Sequence, residues 1–168
     1  MPDMAADWMP REQWDALVRG EGCPLCATIA AVDPVDAYGY TIADLDMGRL
    51  RLGVDQFIPG YCVLICKVHV REPYHLPRDQ RIAFFEDMMR AARALDDVFT
   101  PVKMNIELHG NAVPHLHCHL KPRFYGDSAP GTPLLHAPDR TVTLTPTEYE
   151  RRVSDIRRAL LLPETASD

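Results

Sequence analysis

The chain has 168 residues, 46% hydrophobic and 25% charged, with a net charge of −6 from 18 basic and 24 acidic side chains. This is the composition of an ordinary globular domain with a sizeable core, and its acidic balance argues against a general nucleic-acid binder, which carries a basic face. No apolar run approaches the ~20 residues of a membrane span, and the opening MPDMAADWMPREQW has neither the basic start nor the apolar stretch of a secretory leader. The expected setting is the reducing cytoplasm. There the five cysteines read as core residues, metal ligands or redox groups rather than as a disulfide framework.

Residues 10–20, PREQWDALVRG, predict a short helix. Pro10 suits a first helical position, Trp14, Leu17 and Val18 share a face, and Gly20 suits the stop. A glycine-rich knuckle, GEGCPLC, follows. Short strand patterns over 38–44 and 49–54 flank a turn around Asp46 to Gly48. The apolar run YCVLIC, 61–66, predicts a strand buried on both faces, with Cys62 and Cys66 in the core. Residues 79–99 predict the longest helix, with Ile82, Phe85, Met89, Ala92 and Leu95 at helical spacing.

The segment VKMNIEL, 102–108, alternates strictly. Val102, Met104, Ile106 and Leu108 take one face and Lys103, Asn105 and Glu107 the other, as in a half-buried strand. The short connection HGNAVP joins it to an antiparallel neighbour over 115–121, with Leu116, Cys118 and Leu120 inward. Residues 126–139, rich in Gly, Pro and Ala, read as a loop. The stretch 145–161 opens with Thr145 as N-cap, Pro146 in the first turn and Glu148 three residues on. About five strands and three helices in this order predict a single α+β domain with a mostly antiparallel sheet.

The stretch His115-Leu-His117-Cys-His119-Leu-Lys121 carries the chemistry. On a strand its three imidazoles and the lysine line the face opposite Leu116, Cys118 and Leu120. Neutral imidazole titrates near pH ~6.5, so the row can exchange protons, attack phosphorus or bind metal. Either all three histidines cradle a metal, or one is a nucleophile that the others position and protonate. The isolated His75, His109 and His136 read as ordinary surface or core residues. Cys23-Pro-Leu-Cys26 is a C-x-x-C knuckle with no second copy, so zinc there would need two histidines from elsewhere. Thioredoxin-like chemistry fits less well, because the knuckle precedes the first strand instead of following one.

The triad segment resembles the signature of the histidine-triad (HIT) superfamily, departing from it at Lys121, where the family has an apolar residue. PGYCVLICKVHV, 59–70, is similar to the family segment in which a glycine leads a buried strand ending in Lys-x-His. GNAVPHLHCHLKPR resembles the bacterial branch related to diadenosine-tetraphosphate hydrolases, and GCPLC resembles the knuckle of zinc-bearing members. The resemblance implies a HIT-like fold: a helical extension over 1–22, the core over 23–125, and a loop and C-terminal helix over 126–168.

It also implies an activity. His117 would attack the α-phosphorus of a small nucleotide, such as a dinucleoside polyphosphate or a nucleoside phosphoramidate, and form a nucleotidyl-histidine. His119 would contact phosphate oxygens and help the leaving group. A structural zinc would sit on Cys23, Cys26, His69 and His115, leaving His117 and His119 free, with magnesium called for only by polyphosphate substrates. Asn111 stands where the family has Gln or Asn near the phosphate, Asn105 matches a strand asparagine beside that pocket, and Lys121 would add charge at the pocket mouth. Two departures stand out. Glu107 follows Asn105-Ile where the family often has glycine, and Asp55 is shifted relative to the ribose-binding aspartate. The resemblance further implies a homodimer through the long helix and an edge strand, which suits the apolar girth of Phe84, Phe85, Met88 and Met89. The alternative is a nucleotide-binding module that keeps the fold without catalysis. Neither a nucleic-acid polymer nor a membrane is an expected partner.

Overall fold

The computed structural model describes residues 8–134 and 140–162, so His136 lies outside the described residues. In chain order the elements are α1 (Arg11–Val18), α2 (Pro24–Ala30), β1 (Val35–Asp36), β2 (Gly39–Asp44), β3 (Gly48–Gly53) and β4 (Cys62–Cys66). Then come α3 (Arg78–Phe99), β5 (Lys103–Glu107), β6 (His117–Arg123) and α4 (Pro146–Leu160). The strands form one sheet in the order β1-β2-β3-β4-β6-β5, antiparallel at every pairing. This is the predicted α+β architecture with two additions, α2 and β1. Both are too short, at seven and two residues, to leave a periodic signal. The one trace of α2 is Pro24, seated at its first turn.

Strand alternation sorts the sheet's two faces. Leu50, Leu52, Cys62, Leu64, Cys66, Cys118 and Leu120 are fully buried under α3 and α4, so all three strand cysteines are core, as predicted. The opposite face carries Arg51, Val63, Ile65, His117 and His119, which line one cavity. Helix α4 starts with the predicted capping box: Thr145 accepts from the Glu148 amide, and Glu148 accepts from the Thr145 amide.

Helix α3 corrects one expectation. Its buried stripe is Phe84, Met88, Ala91 and Leu95, whereas Ile82, Phe85 and Met89 are 44%, 37% and 45% exposed. The two stripes lie side by side and both are apolar, so spacing alone could not choose between them. Asp87 sits within the buried stripe for a reason of its own. Its carboxylate accepts the backbone N–H groups of Asp46, Met47 and Gly48 at 3.2, 2.6 and 2.9 Å, tying α3 to the β2–β3 turn. Replacing Asp87 by Ala strands buried donors and is expected to cost about 3 kcal/mol. Urea denaturation would read this as a lowered midpoint, with Asp87→Asn losing less because it keeps one acceptor.

Candidate functional site

The chain enters β6 through a backbone clasp that decides where each histidine points. The Leu116 amide donates to the Val70 carbonyl at 2.6 Å, and Cys66 donates to the Leu116 carbonyl at 3.0 Å. This sets His115 against the turn that follows β4 and carries His69. Cys23 and Cys26, at the start of α2, close the group from the other side. Cys26 Sγ lies 3.2 Å from His69 Nδ1 and 3.4 Å from His115 Nδ1, Cys23 Sγ lies 3.4 Å from His115 Nδ1, and the two Nδ1 atoms are 3.1 Å apart.

In these contacts both imidazole Nδ1 atoms can only accept. His115 Nε2 donates to the Cys66 carbonyl at 2.8 Å and His69 Nε2 to the Val18 carbonyl at 3.1 Å. Carbonyls only accept, so the ring protons sit on Nε2 and both Nδ1 atoms present lone pairs. Two lone pairs and two sulfurs therefore face one point. A tetrahedron with zinc–sulfur and zinc–nitrogen bonds of about 2.3 and 2.0 Å has edges of about 3.3–3.8 Å, close to the spacings found. Burial and the adjacent Cys23 thiol push Cys26 up to about 11, so holding it as a thiolate calls for a cation. Among the described residues this is the one convergent set of metal-ligating side chains. His117 and His119 stand outside it, against the reading in which all three triad histidines share a metal.

His117 Nδ1 donates to the His115 carbonyl at 2.6 Å, which leaves Nε2 as the nitrogen with a lone pair. Burial lowers its pKa and keeps the imidazole neutral. The ring of His119 stands edge-on to that of His117, 4.9 Å between centroids. Its Nδ1 lies 2.7 Å from the Tyr61 hydroxyl. An imidazole nitrogen is a better acceptor than a phenol oxygen, so Tyr61 donates, and burial raises the Tyr61 pKa and keeps its proton in place. His119 thus carries its own proton on Nε2. Burial, then the charges of His117, Lys121 and His109, push it down to about 4, so it is a neutral hydrogen-bond donor. Tyr61 reaches this position because residue 53 is glycine: a Cβ there would stand 2.9 Å from the tyrosine ring.

Both rings line a cavity of about 630 Å³. Its walls are Pro24, Leu25 and Thr28 of α2, Ala37 and Tyr38 of the β1–β2 hairpin, and the apolar Val63 and Ile65 of β4. Arg51 lies at its floor, paired to Asp36 at 2.6 Å and to the Gly39 carbonyl at 2.5 Å. Asp55 is also in the wall, and its Oδ1 accepts from the amides of Phe57 and Val142, each at 2.9 Å. The remaining sequence candidates are placed differently. Asn105 accepts from Arg123 at 2.8 Å and lines a separate groove along β5. Asn111 is exposed in the bend ahead of the triad. Lys121 is 8% exposed rather than at a solvated mouth, and donates to Glu107 at 2.6 Å and to the Leu134 carbonyl at 3.3 Å. His75 caps a short 3₁₀ turn.

The residues that sequence reasoning passed over are Tyr61, Arg51, Glu107 and His109. Glu107 pairs across the sheet with His119 and accepts from His109 Nε2 at 2.9 Å. The sequence marks Glu107 only as a departure from the family pattern after Asn105-Ile, with no role attached.

The HIT domain family model matches residues 41–126, more than half of the chain. The chain belongs to the HIT family. The knuckle cysteines fall outside that match, ahead of its first residue. The HIT relative named Protein hit, from Bacillus subtilis (strain 168), is 29% identical over 128 residues, spanning 71% of this chain and 83% of the relative. The crystal structure of a histidine triad protein from Bradyrhizobium japonicum superposes with a TM-score of 0.67 at 26% identity, covering 73% of this chain and 90% of that one. A Zn-bound histidine triad family protein from Mycobacterium smegmatis shares the fold, with a TM-score of 0.58 at 24% identity over 82% of this chain and 92% of the other.

Proposed function

We propose that this HIT protein is a nucleotide hydrolase or nucleotidyltransferase in which Nε2 of His117 attacks the α-phosphorus and forms a nucleotidyl-histidine. The observation that carries this reading is the 2.6 Å bond from His117 Nδ1 to the His115 carbonyl, which aims the lone pair of a buried, neutral imidazole at substrate. The neighbouring Nε2–H of His119 donates to a phosphate oxygen as charge develops there. An apolar cavity of about 630 Å³ suits a nucleoside, with Asp55 on the ribose side and Asn111 at the phosphate. Asn105 and Lys121 act at one remove, through Arg123 and Glu107. The leaving group is a second nucleotide or an amine. Because the nucleophile is an imidazole, no metal-bound hydroxide is needed for the first step. A nucleoside phosphoramidate should therefore turn over without added magnesium, and a polyphosphate would use magnesium only to shield its charge. The test is hydrolysis of adenosine and guanosine phosphoramidates with acid-quench trapping of the nucleotidyl-enzyme; a protein that binds these nucleotides but never turns them over would be the non-catalytic module instead.

Zinc is assigned to Cys23, Cys26, His69 and His115, in a closed structural site whose role is to hold α1 and α2 on the sheet. A reducing cytoplasm keeps those thiols available. No helix among the described residues is long and apolar enough to cross a membrane.

The protein is further assigned as a homodimer. Strand β5 is one edge of the sheet; its Ile106 and the flanking Val102 and Leu108 are exposed, and so are Ile82, Phe85 and Met89 of α3. Pairing β5 with its copy would continue the sheet and cover both sets. Light scattering at micromolar concentration should give the dimer mass, with Ile106→Asp shifting it to monomer. A monomer in the unaltered protein would overturn the assignment.

A further inference from the structure

The row of histidines on β6 has two sides. The nucleoside cavity lies over β3 and β4. On the other side, across the β5–β6 pairing, Glu107 stands opposite His119, and His109 follows just beyond the end of β5. The Glu107 carboxylate accepts from Lys121 at 2.6 Å and from His109 Nε2 at 2.9 Å. The ring of His109 lies 5.6 Å from that of His119, and its side chain is half exposed, at 51%. A carboxylate only accepts, so His109 holds a proton on Nε2 and its Nδ1 is the nitrogen left to exchange one with a ligand.

The proposed reaction lacks a proton donor. A departing amine or alkoxide must be protonated as its bond to phosphorus breaks. His119 is pushed down to about 4 by burial and by neighbouring charge, so its N–H bonds to oxygen without being given up. Lys121 is held below the surface by Glu107 and the Leu134 carbonyl. The sheet closes the site from beneath and the nucleoside occupies the β3–β4 side, which leaves the β5 side open to the leaving group.

We propose that His109, oriented by Glu107, is the catalytic acid that protonates the leaving group. This rests on the reading of His117 as nucleophile. As His117 Nε2 bonds to phosphorus, the bond from phosphorus to the leaving atom breaks. Its electron pair stays with that atom, which takes the proton from His109 Nδ1 and departs neutral. In the second half, water attacks phosphorus and gives its proton to His109 Nδ1, and the pair shared with His117 returns to Nε2. His117 is again neutral, and His109 again carries a proton on both nitrogens, as it did at the start.

The experiment compares two substrates of one nucleotide: its phosphoramidate with an alkyl amine, which needs a proton to leave, and its p-nitrophenyl ester, which does not. In single-turnover bursts, which read the first half-reaction alone, His109→Gln should slow amine release from the phosphoramidate by about 10²–10⁴-fold while changing p-nitrophenol release from the ester by less than about threefold. Added imidazole should restore part of the phosphoramidate activity of His109→Ala. Equal slowing of both substrates, or of neither, overturns the role of His109. If His117→Ala hydrolyses the ester as fast as the unaltered protein, the nucleophile reading fails and takes this inference with it. If His117→Ala abolishes ester turnover while His109→Gln spares both substrates, His109 alone falls.

Discussion

Replacing His117 by Ala should lower the hydrolysis of a nucleoside phosphoramidate by about 10⁴-fold or more, the scale on which removing a covalent nucleophile acts in other enzymes. The structure makes this a clean substitution. The side chain bonds to the carbonyl two residues back along the chain, and the core side of this segment is carried by Leu116, Cys118 and Leu120. The fold should therefore survive, and circular dichroism of the variant should match that of the parent. Acid-quenched samples of the parent should contain nucleotide bound to histidine, and the variant none. His119→Ala should lose less, about 10²–10³-fold, because it removes one donor to developing charge rather than the attacking group. A His117→Ala protein within about tenfold of the parent, the range that mere repositioning could explain, would sink the mechanism.

How much of this could be read from the chain depended on how local each signal was. The two faces of strand β6 were legible, although the strand runs His117–Arg123 rather than 115–121, because alternation along one strand fixes both faces at once: Cys118 and Leu120 in the core, His117 and His119 on the open side. Helix α3 was legible in extent but not in rotation, since two adjacent stripes are apolar and the one that turned inward includes Asp87. The knuckle was visible as a motif, whereas its partners His69 and His115 came only from the resemblance. They lie 43 and 89 residues from Cys26, and no periodicity links them. Tyr61 was hidden for the same reason, 58 residues from the histidine it touches. Lys121 was placed on the correct face, but its burial follows from the charge on Glu107 of the neighbouring strand. The pairing register sets that, and spacing within one segment does not.

Loss of the zinc should loosen one part of the molecule and leave the rest intact. Helix α1 has no buried residue, and in α2 only Thr28 is buried, so neither is held by much apolar area. What joins them to the sheet is the Cys23–Cys26–His69–His115 cluster, with the bond from His69 to the Val18 carbonyl and those from Arg49 of β3 to the Thr28 and Ala31 carbonyls. Without a cation, two nitrogen lone pairs 3.1 Å apart repel each other and are left with only weak thiol donors, so the cluster becomes a liability. The core under α3 and α4 touches this site where the Cys66 carbonyl accepts from His115, but it is built from its own apolar contacts and should persist. Metal analysis of protein purified without chelator should give about one zinc per chain. In Cys26→Ser, or after prolonged chelation, amide exchange should become fast across residues 10–31 while β3, β4 and β6 stay protected. Because Pro24, Leu25 and Thr28 form one wall of the cavity, KM should rise more than kcat falls, by about tenfold if that wall supplies ~1.4 kcal/mol of binding. Unchanged exchange over the knuckle, or a protein that holds no zinc, would refute the assignment. Global unfolding of Cys26→Ser would instead mean that the sheet depends on the metal, contrary to the buried core that α3 and α4 complete without it.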